Sequence, residues 1–337
     1  MIHPQTGPPP QFQATTGRLC APATPLPGGV CDGRNLINLN FAIAESEPWL
    51  QGYGLDMRFD KGLINSMPQT AHASCGGGAY VSAPSSSQTP GIVFSGQLLN
   101  PRSNFGQGQA SPNPYNWLIG GTYQEIYSGT GGVLATNYDK VKAKLKRSSI
   151  KPKPLQGEAP GCTDTENCTL TGLPQEVYET TGDLTLNAWT VPANSRYVIL
   201  VSGNLLINDT ITVPQNQKSY LTFIVKGNIT VASSVGGALA PTTCPAATVS
   251  QLDGFYSTDS SFIIQSTQDC ATERMLSMQG ALVVNARKTG GTFENQRSLC
   301  GNNSFVPTFT IRERLDMVLN TPEVLKTQNF LYQEVAP

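Results

Sequence analysis

The stretch Thr181–Val231 constrains the fold more than any other, because it carries one pattern three times. Gly182-Asp183-Leu184-Thr185-Leu186, Gly203-Asn204-Leu205-Leu206-Ile207 and Gly227-Asn228-Ile229-Thr230-Val231 each set a glycine and a short polar residue before β-forming apolar positions. The glycines lie 21 and 24 residues apart, and Thr190-Val191-Pro192 and Thr212-Val213-Pro214 stand between them. A period of this size, with one or two short strands and a turn per copy, predicts a β-solenoid. The glycines are expected to bend the backbone sharply between two strands. The Val-Pro pairs belong at corners, where a missing N–H is tolerated. Asn204 and Asn228, one residue after the glycines, are spaced to stack as an amide ladder. Two looser copies, Leu252–Tyr256 with Phe262–Ile264 and Met278–Val284, extend the glycine series to 182, 203, 227, 254 and 280.

The rest of the chain reads as what leads into these repeats, caps them or hangs off them. Residues 1–33 hold Pro4, Pro8, Pro9, Pro10, Pro22, Pro25 and Pro27 and read as an extended arm or linker. Residues 34–150 form a β-rich part whose Leu55, Met57 and Phe59 alternate with Asp56, Arg58 and Asp60, the mark of a half-buried strand. Its opening Gly54 resembles the later glycines, so this part supplies candidate first passes of the solenoid. Tyr138, Val141 and Leu145 predict a short amphipathic helix near 137–147 with Asn137 as its N-cap. Residues 151–170 read as a linker or long loop and 171–311 as the repeats. Residues 312–337 read as a C-terminal cap and tail, since an open end exposes a row of unpaired strand edges.

Charged residues make up 13% of the 337, about half the usual share of roughly a quarter. With a net charge of −1 there is no global case for a nucleic-acid partner. Lys140, Lys142, Lys144, Lys146, Arg147, Lys151 and Lys153 nevertheless fall within fourteen residues that contain no acid, which leaves the remainder at −8. Such a run is either a solvated helix face or a contact for an anionic glycan or a neighbouring subunit. The eight cysteines include no Cys-x-x-Cys pair, and the only histidines are His3 and His72, so zinc spacing is absent and no metal or cofactor is expected. An even count in this composition favours disulfides and an oxidising compartment, with Cys20–Cys31, Cys162–Cys168 and Cys244–Cys270 as the nearest pairs; the alternative is that several are free buried thiols. No run of 18 apolar residues predicts a transmembrane segment, and Met1-Ile2-His3-Pro4 lacks the pattern of a signal peptide, so if the protein is exported a mature or trimmed fragment is expected.

Several motifs together carry a resemblance. The Gly-Asn/Asp repeats, the unit Leu221–Val231, Pro48-Trp49 with Gly54-Leu55-Asp56-Met57, the Phe105-Gly106-Gln107-Gly108 turn and the closing Gln333–Pro337 resemble exported proteins of small-celled candidate-phylum (Patescibacteria-like) bacteria. The resemblance covers roughly residues 45–337. It implies a right-handed parallel β-helix at the end of a long surface protein, an extracellular or cell-surface location, and no catalytic residues to transfer. The expected fold class is therefore all-β, a right-handed parallel β-helix (β-solenoid) with irregular loop insertions, one short helix and a C-terminal cap.

Folds of this kind carry both polysaccharide-cleaving enzymes and non-catalytic shafts and adhesins. A glycoside hydrolase needs two carboxylates about 5–10 Å apart. Asp253, Asp259 and Asp269 are the acids near the repeats, with Arg274 and Arg287 as nearby bases, and aspartates in such loops are also ordinary turn formers. His72 lies in a Ser/Gly loop and reads as an exposed loop residue. Trp49, Tyr53, Tyr115, Trp117 and Tyr123 stand among Asn, Gln and Gly as a candidate sugar-binding platform, against the plainer reading that they pack the core. The reading preferred from sequence is a rigid structural or adhesive surface protein, a homo-oligomer or surface assembly with glycans as possible partners. The alternatives are a polysaccharide lyase or glycoside hydrolase, and a non-catalytic carbohydrate-binding module.

Overall fold

A computed structural model describes residues 47–59, 136–156, 172–239, 241–244, 249–285 and 290–326, single positions 68, 75, 168 and 170, and isolated strands before residue 121. Residues 1–46 and 47–337 form separate units. In the first, β1 (Thr15–Cys20) pairs antiparallel with β2 (Leu36–Phe41). The expected arm thus contains a paired strand. Its prolines flank residues 11–20 without entering them, so every N–H of β1 is free to join a ladder.

The second unit is mostly β, with two short α-helices among the described residues. Its early strands are β3 (Leu50–Tyr53), β4 (Met57–Phe59), β5 (Val81–Ser82), β6 (Val93–Ser95) and β7 (Leu118–Gly120). Helix α1 (Tyr138–Arg147) and β8 (Lys153–Pro154) follow. Then come β9 (Val177–Thr180), β10 (Leu184–Leu186), β11 (Trp189–Thr190), β12 (Arg196–Val201), β13 (Leu205–Ile207), β14 (Ile211–Thr212), β15 (Tyr220–Val225) and β16 (Ile229–Val231). The last elements are β17 (Leu252–Thr258), β18 (Phe262–Ile264), β19 (Leu276–Val284), β20 (Phe293–Asn295), β21 (Phe309–Arg312) and helix α2 (Leu315–Leu319).

The named strands of this unit pair in parallel. An eleven-stranded sheet runs β5-β3-β21-β19-β17-β15-β12-β9-β8, with β11 and β14 alongside. A five-stranded sheet runs β10-β13-β16-β18-β20, and β4-β6-β7 form a third. From β9 to β20 the chain alternates between the first two, so each pass lays its strands beside those of the pass before.

Registry stacks like residues. Leu184, Leu205, Ile229, Phe262 and Phe293 form one file across the five-stranded sheet, and Leu186, Ile207, Val231 and Ile264 another. The residue between the two files is half-exposed in each strand, as a period of two requires. Ile199, Phe223 and Tyr256 stack on the inner face of the large sheet, the latter two rings 5.5 Å apart. Each such aliphatic or aromatic side chain contributes about 1.5–3 kcal/mol on leaving water. The outer face of β12 and β15 is apolar too, because Tyr138, Val141 and Leu145 of α1 pack on Val198, Leu200 and Ile224. The helix sits where the apolar spacing predicts it, and the Asn137 side chain caps it by accepting from Lys140 N.

The turns between the sheets carry a second ladder. Asp183 Oδ1 accepts from Asn204 N at 2.7 Å, Asn204 Oδ1 from Asn228 N at 2.9 Å, Asn228 Oδ1 from Ser261 N at 3.0 Å, and Ser261 Oγ from Thr292 N at 2.9 Å. The link expected between side-chain amides runs instead from each side chain to the next backbone N–H. Gly203 and Gly227 are needed for close stacking and not for a bend. A Cβ at Gly227 would lie 2.5 Å from Asn204 Oδ1 and 2.7 Å from Gly203 O, whereas at Gly182 it would meet nothing within 4 Å. The glycine series is also corrected. The positions equivalent to Gly227 in the next two passes are Ser260 and Gly291. Gly254 and Gly280 lie inside β17 and β19 and face each other with φ of +133° and +141°.

The two ends of the stack depart from expectation. Within 151–170, read as a linker or long loop, two described pieces lie against the first pass. β8 covers β9, and Cys168 bridges to Leu186, donating its N–H to Thr185 O at 2.8 Å. A two-residue edge strand made of Lys and Pro gives little to an incoming strand. At the other end, the strand that covers β21 is β3, with Phe309 opposite Leu50 and Arg312 opposite Tyr53. Residues 312–326 do not cap that edge. Arg314 Nη1 reaches Val213 O at 3.1 Å and Asn216 N donates to Asp316 Oδ2 at 3.0 Å, which holds α2 against the loop after β14. The early strands therefore follow the last pass in the large sheet and do not precede the first.

Disulfides fix this arrangement. Cys75 pairs with Cys244 and Cys270 with Cys300, which corrects the expected Cys244–Cys270 pair. Cys75, Cys244, Met275, Leu299 and Val306 share one small apolar cluster, so Cys244 faces the early segment. Cys270 and Cys300 sit in the loops that follow β18 and β20, one pass apart. Cys168 is also disulfide-bonded. The side chains of Cys20, Cys31 and Cys162 lie outside the described residues, and with them the two other expected pairs. No described helix is long and apolar enough to cross a membrane.

Candidate functional site

Asp253 and Asp259 sit at opposite ends of β17, so about 20 Å separates their backbones at the strand rise of ~3.3 Å per residue. That is well beyond the reach of a carboxylate pair acting on one glycosidic bond. Asp253 is buried beside the corner after β14. It accepts from Val213 N at 2.9 Å and from the Ser250 hydroxyl, and Arg314 Nη1 lies 3.7 Å away. Burial pushes its carboxyl above the usual range, against the pull of those donors and of Arg314. Asp259 is buried as well and anchors α1, accepting from Asn137 Nδ2 at 2.6 Å and from Tyr138 N at 3.3 Å. Asp269 holds its own exposed loop through Ala271 N and the Thr272 hydroxyl. The three acids are thus not brought together; each ties down backbone. Among the described residues no group of three His, Cys, Asp or Glu side chains has metal-binding geometry. His72 and Arg287 lie outside the described residues.

Two buried arginines do work that composition and spacing leave invisible. Arg297 is 0% exposed and donates to Gln265 O at 3.0 Å, Arg274 O at 3.1 Å and Ala232 O at 2.9 Å. Those carbonyls belong to the loops leaving β16 and β18, so one guanidinium ties together successive passes. Its charge partner Glu273 lies 3.9 Å away, equally buried, and accepts from Ser266, Thr267 and Arg274. Burial draws the guanidinium down to about 10, with Glu273 opposing. Arg314 repeats the device for Val213, Pro214 and Asp316. Only an alignment of loop ends in space reveals such groups. Arg274, considered from sequence as a base near the acids, instead donates to Gly237 O at 2.7 Å.

Of the five platform aromatics, the two that are described lie in the core. Trp49 is 1% exposed and donates its indole N–H to Asn303 O at 2.8 Å. Tyr53 is 3% exposed, donates to Gln51 Oε1 at 2.6 Å, and lies under the Arg312 guanidinium, 3.8 Å from the ring centroid. Burial pushes its hydroxyl up to about 12, with the Arg312 charge opposing. Neither ring offers a face to a sugar. Tyr115, Trp117 and Tyr123 lie outside the described residues.

The lysine run supplies the surface feature that remains. A groove of about 480 Å³ is lined by Lys142, Ala143, Lys146, Ser149, Ile150, Lys151, Pro152 and Glu179. It forms because α1 ends in a tight turn: Ser149 takes φ of +57°, Ile150 N bonds back to Leu145 O at 3.0 Å, and the chain returns along the helix. The acids around it are engaged. Glu179 binds Lys142 at 2.5 Å and the Tyr138 hydroxyl, and Glu176 binds Lys153 at 2.7 Å. Lys146, Arg147 and Lys151 are exposed and have no acidic partner among the described residues. Burial, and then the charge of Arg147, draw the Lys144 ammonium below its usual range. No protein-family model matches this chain, and no curated protein matches it.

Proposed function

We propose that the chain is a right-handed parallel β-helix, a β-solenoid, that serves as a rigid structural or adhesive unit of an exported surface protein. The observation that carries this reading is the use of the strand-borne acids. Asp253 and Asp259 each tie a separate element to the stack, while the repeated positions hold aliphatic and aromatic files. Disulfides between segments far apart in sequence suit an oxidising exterior and a shaft that resists unfolding. With β3 paired on β21, end-to-end addition at β21 would have to displace β3.

Incubating the protein with acidic and neutral glycans, and assaying reducing ends and unsaturated products, tests the reading. The expected result is no product. Product formation that Asp253→Ala or Asp259→Ala abolishes would make the chain a lyase or hydrolase instead.

A further inference from the structure

We propose that the groove along α1 binds acidic polysaccharide, with Lys146 and Lys151 as its principal cationic contacts. The proposal rests on the adhesive, exported reading above and names its ligand class. Seven cations fall within fourteen residues free of acid. Of these, Lys142 and Lys153 are neutralised by Glu179 and Glu176, and Lys144 donates to Lys326 O. Cations in the last turn of a helix are stabilised by its carbonyl end, which accounts for Lys144, Lys146 and Arg147. It does not account for Lys151, which lies beyond the helix and is returned to the groove by the turn at Ser149. Lys146 and Lys151 thus come from two segments and line one groove, with Ala143, Ile150 and Pro152 as its apolar lining.

This combination matches a chain of acidic sugars. Carboxylates would pair with the two ammonium groups, and the C–H faces of the rings would lie against the apolar lining. Nucleic acid fits less well. No lining residue is aromatic, so the bases of a single strand have no stacking surface.

The test is affinity electrophoresis of the purified full chain in gels containing polygalacturonate, neutral dextran or duplex DNA. Polygalacturonate is expected to retard the protein at low salt, with the effect fading as salt is added, and dextran is not. Lys146→Glu combined with Lys151→Glu should weaken binding by roughly tenfold, since two attractions become two repulsions. Both residues are exposed, and an unchanged unfolding midpoint confirms that the variant is folded. Arg196→Glu with Lys218→Glu makes the same change in net charge elsewhere and should bind like the parent. Lack of retardation of the parent, or equal weakening in the two double variants, overturns the proposal. Duplex DNA bound as tightly through the same lysines reassigns the groove to nucleic acid. The glycan-degradation assay of the structural reading does not depend on this groove, so the two readings fail separately.

Discussion

The passes from β9 to β16 and those from β17 to β21 reach the same parallel stacking by different means. In the first group the turn positions recur after 21 and 24 residues, and files of Leu, Ile and Val with the Asp183–Asn204–Asn228 ladder suffice. In the second the recurrence lengthens to 33 and 31 residues, and the longer loops bring in backbone carbonyls that no neighbouring strand satisfies. There Arg297 gathers such carbonyls, Arg314 reaches back to those of Val213 and Pro214, and the Cys75–Cys244 and Cys270–Cys300 bridges hold the loops. A regular repeat is stabilised by files of like residues; an interrupted one needs particular long-range polar anchors.

Breaking an anchor should therefore cost more than disturbing a file. Arg297→Met is expected to lower unfolding free energy by about 3–5 kcal/mol, because it leaves the buried Glu273 without its charge partner and takes a donor from three carbonyls. Denaturant unfolding with the disulfides intact measures this, and a loss under about 1 kcal/mol would show that the anchor is dispensable. Next in size is the stacking glycine. Gly227→Ala should cost about 1–3 kcal/mol by forcing apart two turns, whereas Gly182→Ala, with open space at its Cβ, should stay within about 0.5 kcal/mol. Equal costs for the two would mean that the turn itself requires glycine.

Asp259→Ala should cost about 1–2 kcal/mol and loosen α1, seen as faster amide exchange at Val141 and Leu145, because Asn137 Nδ2 and Tyr138 N lose their acceptor. The smallest effect concerns Asp253. Its folded-state carboxyl is raised by burial, so the folded protein holds that proton more tightly than the unfolded chain does. This group therefore adds stability as pH falls through the raised value and withdraws it as pH rises. Asp253→Asn should flatten that acid-side gain relative to the parent; identical pH profiles would refute it.

How much of this was legible in the sequence follows the same division. The files at 184–186, 205–207 and 229–231 recur at a nearly constant period, so the residues announce which strands neighbour each other. The helix was legible for a similar reason, since Tyr138, Val141 and Leu145 mark one face within eight residues. Gly254 and Gly280 misled because they are glycines at a plausible spacing, yet their role is backbone strain inside paired strands. The closure of β21 by β3 left no periodic trace, because it joins residues such as Trp49 and Thr308, 259 positions apart. The site was less legible still. Trp49 and Tyr53 have the composition of a platform but the burial of a core, and the groove depends on where the chain turns after Arg147.

The central claim is that the early segment of the chain closes the far end of the stack. Peptide mapping under non-reducing conditions, with mass spectrometry of the linked fragments, tests it most directly. The account predicts one pair joining the peptides that contain Cys75 and Cys244, and another joining those of Cys270 and Cys300. A Cys244–Cys270 linkage would contradict it, because it would leave residues 47–75 without their covalent tie to the late passes.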